Sequence, residues 1–132
     1  MSKIFEYNIS TRSATELVNV DHLVKKAIDD SGVQNGLCHV FVPHTTAAVT
    51  INENADPSVI SDLLAQVNKV IPFEDNYRHR EGNSAAHIKS TLVGCSLSLL
   101  VEAGKPKLGT WQSVFFCEFD GPRNRRLWVK VI

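Results

Sequence analysis

The chain has 132 residues, 43% hydrophobic and 21% charged, which is the composition of a single globular domain spanning residues 1–132. Its 14 Lys and Arg residues balance its 14 Asp and Glu residues, and this zero net charge argues against a nucleic-acid coat or a membrane-surface protein. No apolar run is long enough for a spanning helix, and no apolar signal core follows the N-terminus, so we expect a cytoplasmic protein whose partners are neither nucleic acid nor membrane.

The first third of the chain predicts strands on either side of a short helix. Residues 3–10 alternate between polar and apolar side chains, as a half-buried strand does. Asp21 is placed to cap a helix with apolar positions at helical spacing, and Gly32 ends it. Residues 37–42 form an apolar run that indicates a buried strand, and residues 47–51 follow as a second one.

The middle of the chain predicts two helices joined by a polar loop. Asp56 is placed to cap the first helix, which has a proline in its first turn. Apolar residues at helical spacing between 59 and 70 predict that this helix packs on the core. Residues 72–81 show no periodicity, and Asn83 is placed to cap a second helix that ends at Gly94.

The last third of the chain predicts strands alone. Residues 96–101, 108–119 and 126–132 are separated by turns with glycine or proline, which indicates an antiparallel meander. The order of elements lacks the alternation of strand and helix that a parallel sheet requires. We therefore predict an α+β fold with an antiparallel β-sandwich core and two to three helices packed alongside.

The cysteine pattern indicates thiols rather than disulfides. Cys38, Cys95 and Cys117 are odd in number, widely spaced and each surrounded by apolar residues. Such cysteines are usually buried and reduced. We therefore expect all three to be buried.

Histidines mark two candidate sites. His44 directly follows a buried strand and precedes Thr45 and Thr46, a position exposed at a sheet end but held by the scaffold. His79 lies in the polar loop, and His87 lies one turn into the helix that follows it. Three neutral imidazoles predict a metal site with open positions, and the amides at the helix start predict an anion site. The alternative is a polar turn and two surface histidines, since the spacing matches no short metal motif.

The C-terminal third carries a cluster of carboxylates and arginines. A strand with a period of two places Gln112, Glu118 and Asp120 on one face. The turn that follows carries Arg123 and Arg125, whose guanidinium groups suit phosphate or carboxylate recognition. The alternative is a surface ion pair beside a turn.

Taken together, these motifs resemble the YjbQ-type family, often labelled secondary thiamine-phosphate synthase. The resemblance covers essentially the whole chain. The motifs that carry it are Leu108-Gly109-Thr110-Trp111-Gln112, Glu118 through Arg125, His44-Thr45-Thr46-Ala47-Ala48, Asn52-Glu53 with Asp56-Pro57, and His79 followed by Gly82-Asn83 and Ala86-His87.

The resemblance implies a cytoplasmic homotrimer with a β-sandwich core and a histidine-lined pocket. It implies that His44, His79 and His87 hold a metal or line the pocket. It also implies that further residues line the same cavity, namely Thr45, Asn83, Gln112, Glu118, Asp120 and Arg123. The activity attributed to the family is weak, and it joins hydroxymethylpyrimidine diphosphate to a thiazole phosphate to give thiamine phosphate and pyrophosphate.

From these observations we predict a metal-dependent enzyme with a phosphate-binding pocket for a phosphorylated small molecule. Three imidazoles favour zinc over magnesium as the divalent metal. Glu118 or Asp120 is the predicted base, and the predicted phosphate-binding residues are Thr45, Thr46, Asn83, Gln112, Arg123 and Arg125. The alternative is a non-catalytic homo-oligomeric ligand- or metal-binding protein in which the arginines pair with carboxylates across subunit interfaces.

Overall fold

Eight antiparallel strands form two sheets in the computed structural model, which describes residues 3–132; Met1 and Ser2 of the predicted domain lie outside the described residues. In chain order the elements are β1 (Ile4–Ser10), β2 (Glu16–Asn19), α1 (Asp21–Ser31), β3 (Gly36–Phe41), β4 (Ala47–Glu53), α2 (Pro57–Val70), α3 (Ser84–Val93), β5 (Ser96–Glu102), β6 (Lys105–Lys107), β7 (Gln112–Glu118) and β8 (Asn124–Val131). One sheet has the strand order β1-β8-β3-β5-β6, and the other has the order β2-β7-β4.

The core lies between the two sheets. Val40, Leu127 and Val129 of the five-stranded sheet pack in one cluster with Val114 and Phe116 of the three-stranded sheet. Helix α1 contributes its own buried apolar residues to the same cluster. The predicted α+β fold with a β-sandwich core is therefore confirmed, with three helices. Among the helices of residues 3–132, none is long and apolar enough to cross a membrane.

Strand β7 changes the predicted arrangement of the last third. Within the predicted strand 108–119 the structure has only β7, which starts at Gln112, and the short strand β6 lies before it. Because β7 lies in a different sheet from β5 and β8, the predicted meander is wrong. The reason is that β7 is the central strand of the three-stranded sheet and is buried on both faces from Ser113 to Glu118. The short strand β2, which no pattern indicated, covers one of its edges.

The helix caps follow the predictions in part. Asp56 caps α2 as predicted, and its carboxylate accepts the N–H of Ser58 at 2.9 Å. Gly32 ends α1 in a left-handed conformation with φ of 72°, also as predicted. The prediction for Asp21 is wrong by one position, because Val20 is the N-cap and the Asp21 carboxylate accepts the Val114 N–H instead.

Helix α2 packs less tightly than its apolar stripe predicts. None of its residues is fully buried. Leu63, Leu64 and Val67 are half-buried and line a cavity of about 110 Å³ against the three-stranded sheet. The prediction that this helix packs on the core therefore holds in part, because its apolar side chains up to Val67 are half-buried against the sheet whereas Val70 is exposed.

The turn between β7 and β8 is fixed by a close backbone approach. The N–H of Gly121 donates to the carbonyl of Ala14 at 3.0 Å. A Cβ atom at Gly121 would lie 2.3 Å from the carbonyl oxygen of Ser13, so no larger residue fits there. This contact holds the turn, with Asp120 and Arg123, against the loop that follows β1.

Candidate functional site

The rings of His79 and His87 meet edge to face, with 5.4 Å between their centroids and 88° between their planes. His87 lies on α3, and His79 lies in the loop between α2 and α3. Both line a hollow of about 390 Å³, named here the first hollow. Its remaining lining residues are Tyr77, Arg78, Ser84 and Ile88. The first hollow therefore joins two imidazoles, a guanidinium and the start of a helix.

His44 shares a second hollow with His87. This second hollow has a volume of about 450 Å³ and is lined by His44, Thr45, Ala47, His87, Ser90, Thr91, Gly94 and Cys95. His87 thus forms part of the wall of both hollows, which together are named here the histidine cleft. The structure brings the three predicted histidines together pairwise, His79 with His87 and His87 with His44, rather than as one cluster.

His44 is held in a defined protonation state. Its Nε2 accepts the backbone N–H of Arg126 at 2.9 Å. Partial burial and the positive charge of Arg125 lower the pKa of His44 below its usual value. The ring is therefore neutral near pH 7, and because its Nε2 accepts, its proton sits on Nδ1.

The three rings do not fit a metal site within one chain. The lone pair of His44 Nε2 is used by the Arg126 N–H, and Nδ1 carries the proton, so neither nitrogen of His44 is free to ligate. In the part of the chain from residue 3 onward, no three His, Cys, Asp or Glu side chains are gathered closely enough to hold a metal ion. The predicted site on His44, His79 and His87 is therefore not built by the described residues of a single chain.

Glu118 and Arg125 form a buried ion pair that lines neither hollow. They are 0% and 3% exposed, and the Arg125 Nε donates to Glu118 Oε1 at 2.9 Å while Nη2 donates to Oε2. Glu118 also accepts the hydroxyl of Thr11 at 2.7 Å and the N–H of Asp120 at 3.0 Å. Burial raises the pKa of Glu118, but the hydrogen bonds from Arg125, Asp120 and Thr11 outweigh it and the net shift is downward.

This pair corrects three of the sequence predictions. Glu118 has no exposed surface, and its oxygens already accept four hydrogen bonds, so it does not reach a substrate as a base. Arg125 Nη2 also donates to Thr46 Oγ1 at 2.8 Å, and Thr46 is only 5% exposed. Arg125 and Thr46 are therefore not available to bind phosphate. The sequence cluster of carboxylates and arginines was ambiguous, because a buried ion pair and a phosphate-binding site are built from the same residue types.

Asp120 joins the helix start to the β7–β8 turn. Its Oδ2 accepts the side-chain amide of Asn83 at 2.9 Å and the Nη2 of Arg123 at 3.0 Å. Asn83 is the N-cap residue of α3 as predicted, but its side chain bonds Asp120 instead of capping the helix. Asp120, Asn83 and Arg123 therefore form a partly exposed polar network beside the histidine cleft, and Arg123 is paired within the chain.

Gln112 lies far from these groups. It begins β7, and Glu118 ends it, so the two are six strand residues apart, or about 20 Å. Its Oε1 accepts the N–H of Gly109 at 2.8 Å in the local turn. The prediction that Gln112 shares a face with Glu118 did not account for this length, and the described chain does not bring Gln112 to the cleft.

The structure adds residues that the sequence did not single out. Arg78 and Ser84 line the first hollow, and Ser90 and Cys95 line the second. Cys95 is exposed, so the expectation of three buried cysteines is wrong for this one. Arg78 was detectable as the neighbour of His79, and Ser90 as the residue one helical turn after His87. Cys95 lies beyond the end of that helix and carried no comparable signal.

Three comparisons relate the chain to known proteins. The family model described as UPF0047 protein YjbQ-like matches residues 5–132. A UPF0047 protein of Methanocaldococcus jannaschii is 52% identical over 129 residues, covering 98% of this chain and 94% of that protein. The UPF0047 protein YugU of Bacillus subtilis is 45% identical over 125 residues, covering 94% of this chain and 95% of YugU.

Solved structures show the same fold. The crystal structure of an uncharacterised YjbQ/UPF0047-family protein from Clostridium acetobutylicum has a TM-score of 0.95 at 52% identity, covering 97% of this chain and 99% of that one. The crystal structure of a protein of unknown function from Sulfolobus solfataricus has a TM-score of 0.94 at 31% identity, covering 99% and 96% of the two chains. The fold persists although two thirds of the residues in the second comparison differ.

Proposed function

The chain belongs to the UPF0047 (YjbQ-like) family, and we propose that it binds a phosphorylated small molecule in the histidine cleft and moves protons on it through His79 and His87. The observation that carries the proposal is the contact of these two rings in a hollow that also holds Arg78 and the start of α3. A guanidinium group and a helix N-terminus attract anions, and an imidazole can donate or accept a proton.

The first hollow suits an anionic group. A helix leaves the N–H groups of its first turn without intrahelical partners, and its N-terminus attracts negative charge. In α3 the N–H groups of Ala86 and His87 already donate to the Asn83 carbonyl, at 3.0 and 3.4 Å, so those of Ser84 and Ala85 are the first-turn donors that remain. Arg78 lines the same hollow and adds a fork of donors of the kind that binds phosphate.

The histidines supply the chemistry next to that group. His79 and His87 lie against each other, so two imidazoles, each able to donate or accept a proton, would stand beside a bound phosphate. His44 has its proton fixed on Nδ1 and acts as a hydrogen-bond donor to the ligand in the second hollow. The two hollows would hold the two ends of one substrate, with His87 between them.

An assay of the reaction attributed to the family tests the proposed roles of these residues. In thiamine-phosphate formation the pyrophosphate leaves as the new carbon–nitrogen bond forms, and under this proposal Arg78 and the α3 start would stabilise that leaving group. We expect the synthesis of thiamine phosphate from the two phosphorylated precursors to be lost in His87→Asn and retained in His39→Asn. His39 is a matched control because its ring is exposed and lies within 2.7 Å of Ser98 Oγ, outside both hollows. No synthesis by the unmodified protein would remove this reaction from the proposal.

Ligand binding is tested separately from turnover. We expect millimolar inorganic pyrophosphate to raise the melting temperature, because a ligand that binds only the native state stabilises it. The shift should disappear in Arg78→Gln and persist in Arg80→Gln, an exposed arginine of the same loop that lines neither hollow. An equal shift in both variants, or none in the unmodified protein, would contradict the proposed phosphate site.

The non-catalytic alternative has partial support. Arg125 is buried in an ion pair and unavailable to a ligand, as that alternative predicts, but Arg123 and Arg125 both pair within the chain and not across a subunit interface. Pyrophosphate binding without turnover would favour a binding protein. Elemental analysis of protein purified without chelators tests the predicted metal. Stoichiometric zinc would have to use ligands beyond the described residues of one chain.

We also propose that the chain assembles as a homotrimer in the cytoplasm. Ile88, Leu92 and Val93 of α3 are exposed next to the cleft, with Leu92 at 71%, and a subunit interface would cover such side chains. Light scattering coupled to size exclusion tests the assembly, and a monomeric mass would contradict it. Free thiols at all three cysteines accord with a reducing compartment.

A further inference from the structure

The three cysteines have different surroundings. Cys38 and Cys117 are buried in the core, and burial raises the pKa of Cys38 to about 11 and that of Cys117 to about 12. Cys95 is exposed and lies between the end of α3 and the start of β5, where it lines the second hollow with His44 and His87. The chain therefore presents one accessible thiol, and that thiol opens into the histidine cleft.

A second group in the same hollow lacks a partner. Ser90 is 6% exposed, and its hydroxyl oxygen is buried with no hydrogen-bond partner among the described residues. Its neighbour Thr91 differs, because the Thr91 hydroxyl donates to the His87 carbonyl at 2.8 Å. Buried hydroxyls are nearly always satisfied, so an unpaired one lining a hollow indicates a polar ligand atom there.

We propose that Cys95 is a covalent modification site that takes a small polar disulfide, with Ser90 bonding the polar group of the attached half. The second hollow, at about 450 Å³, accommodates such a group next to the thiol. The chemical class is a low-molecular-weight disulfide with a hydroxyl, amino or carboxyl end. The product is a mixed disulfide at Cys95 inside the cleft.

The exchange reaction balances without any other oxidant. The Cys95 thiol gives up its proton, and the resulting thiolate attacks one sulfur of the disulfide. The new sulfur–sulfur bond forms as the original one breaks, and the other half leaves as a thiolate that takes up a proton. Of the two rings in the hollow, His44 already has its accepting nitrogen bonded to the Arg126 N–H, so His87 is the ring that takes the thiol proton.

Intact-mass measurement on the full, reduced chain tests the site. We expect excess 2-hydroxyethyl disulfide to add one mercaptoethanol group, which peptide mapping places on Cys95. The Cys95→Ser variant should add none, whereas Cys38→Ser should react as the unmodified chain does. An adduct on Cys38 or Cys117 of the folded protein, or no adduct at all, would overturn the proposal.

Two further variants test the roles of the neighbours. We expect His87→Gln to slow adduct formation about tenfold, since it removes the proton acceptor, and His39→Gln to leave the rate unchanged. Ser90→Ala should raise severalfold the rate at which dithiothreitol releases the adduct, because the attached group loses its bond. Equal rates in His87→Gln and the unmodified chain would remove the role of His87, and unchanged release from Ser90→Ala would remove that of Ser90.

The adduct should also weaken the phosphate site, an expectation that rests on the proposed function. His87 lines both hollows, so a group attached to Cys95 in the second hollow restricts the position of the His87 ring in the first. We therefore expect the melting-temperature shift caused by pyrophosphate to fall at least twofold. Cys95→Ser treated in the same way should keep the full shift. An equal shift before and after modification would overturn this coupling. Absence of a shift in untreated protein would instead count against the proposed function, while the mass measurement would still decide the site at Cys95.

Discussion

The buried Glu118–Arg125 pair and the histidine cleft are built from charged and polar residues of the kind that carry catalysis, but they differ in how fully their polar atoms are used. Every oxygen of Glu118 accepts hydrogen bonds from within the chain, and the pair has almost no exposed surface. In the cleft, the His79 and His87 rings border open hollows, and the Ser90 hydroxyl has no partner. This difference is the reason to propose a ligand site at the cleft and not at the ion pair.

The largest expected effect concerns the buried pair. Arg125→Met leaves the Glu118 carboxylate without its charged partner in the core, so we expect a loss of about 3–5 kcal/mol in the free energy of unfolding. Arg123→Met is the matched control, because its pair with Asp120 is half-exposed and is worth less than about 1 kcal/mol. Urea unfolding of both variants measures the difference. Similar losses in the two variants would break the comparison.

Lys89 sharpens the comparison, because it is as buried as the pair but has fewer partners. It is 2% exposed, and its Nζ donates to Asn68 Oδ1 at 2.6 Å, with no carboxylate paired to it in residues 3–132. Burial lowers the pKa of Lys89 below its usual 10.5. The unfolded chain therefore binds this proton more tightly, and stability should rise as the pH increases through the lowered value toward 10.5.

The variant Lys89→Met removes that titration. We expect its free energy of unfolding to depend less on pH in the alkaline range than that of the unmodified chain. Unfolding in urea at several pH values between neutrality and 10.5 measures the two slopes. Parallel slopes would mean that Lys89 is charged equally in both states.

His44 connects the two regions and should show a smaller effect at acid pH. Burial, then the charge of Arg125, lowers its pKa in the folded state below 6.5. The unfolded chain takes up this proton first, so the stability present above pH 6.5 should be lost progressively as the pH falls through the lowered value. His44→Gln should lose less stability over the same interval, and nuclear magnetic resonance of the ring follows its titration directly. A midpoint at or above 6.5 would contradict the neutral ring.

The smallest effect is expected at Gln112. Because its side chain bonds the turn at Gly109, about 20 Å along β7 from Glu118, Gln112→Ala should leave pyrophosphate binding within about twofold of the unmodified chain. Thermal shift across a pyrophosphate titration measures this. A large loss of binding would show that Gln112 reaches a cleft in a neighbouring subunit, which would extend the site across the interface.

Local signals predicted much of the fold but less of the site. Alternation predicted β1, and the Asp56 cap with its following proline predicted the start of α2, because these patterns act over a few residues. The position of β7 in the second sheet was not predictable, since Val114 to Cys117 are apolar on both faces and periodicity does not tell which sheet such a strand joins. The same holds for the site. His79 and His87 are close in sequence and their proximity was predicted, whereas Gln112, predicted to line the same cavity, lies elsewhere in the chain.

By itself, the sequence determined most of the longer strands, the approximate helix starts and the residue types available for chemistry, because propensity, capping and periodicity depend on near neighbours. Only the tertiary structure decided which of those residues have their hydrogen-bonding atoms already occupied by partners within the chain. Arg125 and Glu118 meet across the β7–β8 turn and saturate each other, while His44 loses its accepting nitrogen to a backbone N–H 82 positions away. Hydrogen bonds between distant residues depend on how the two sheets pack, and no local pattern in the chain encodes that packing.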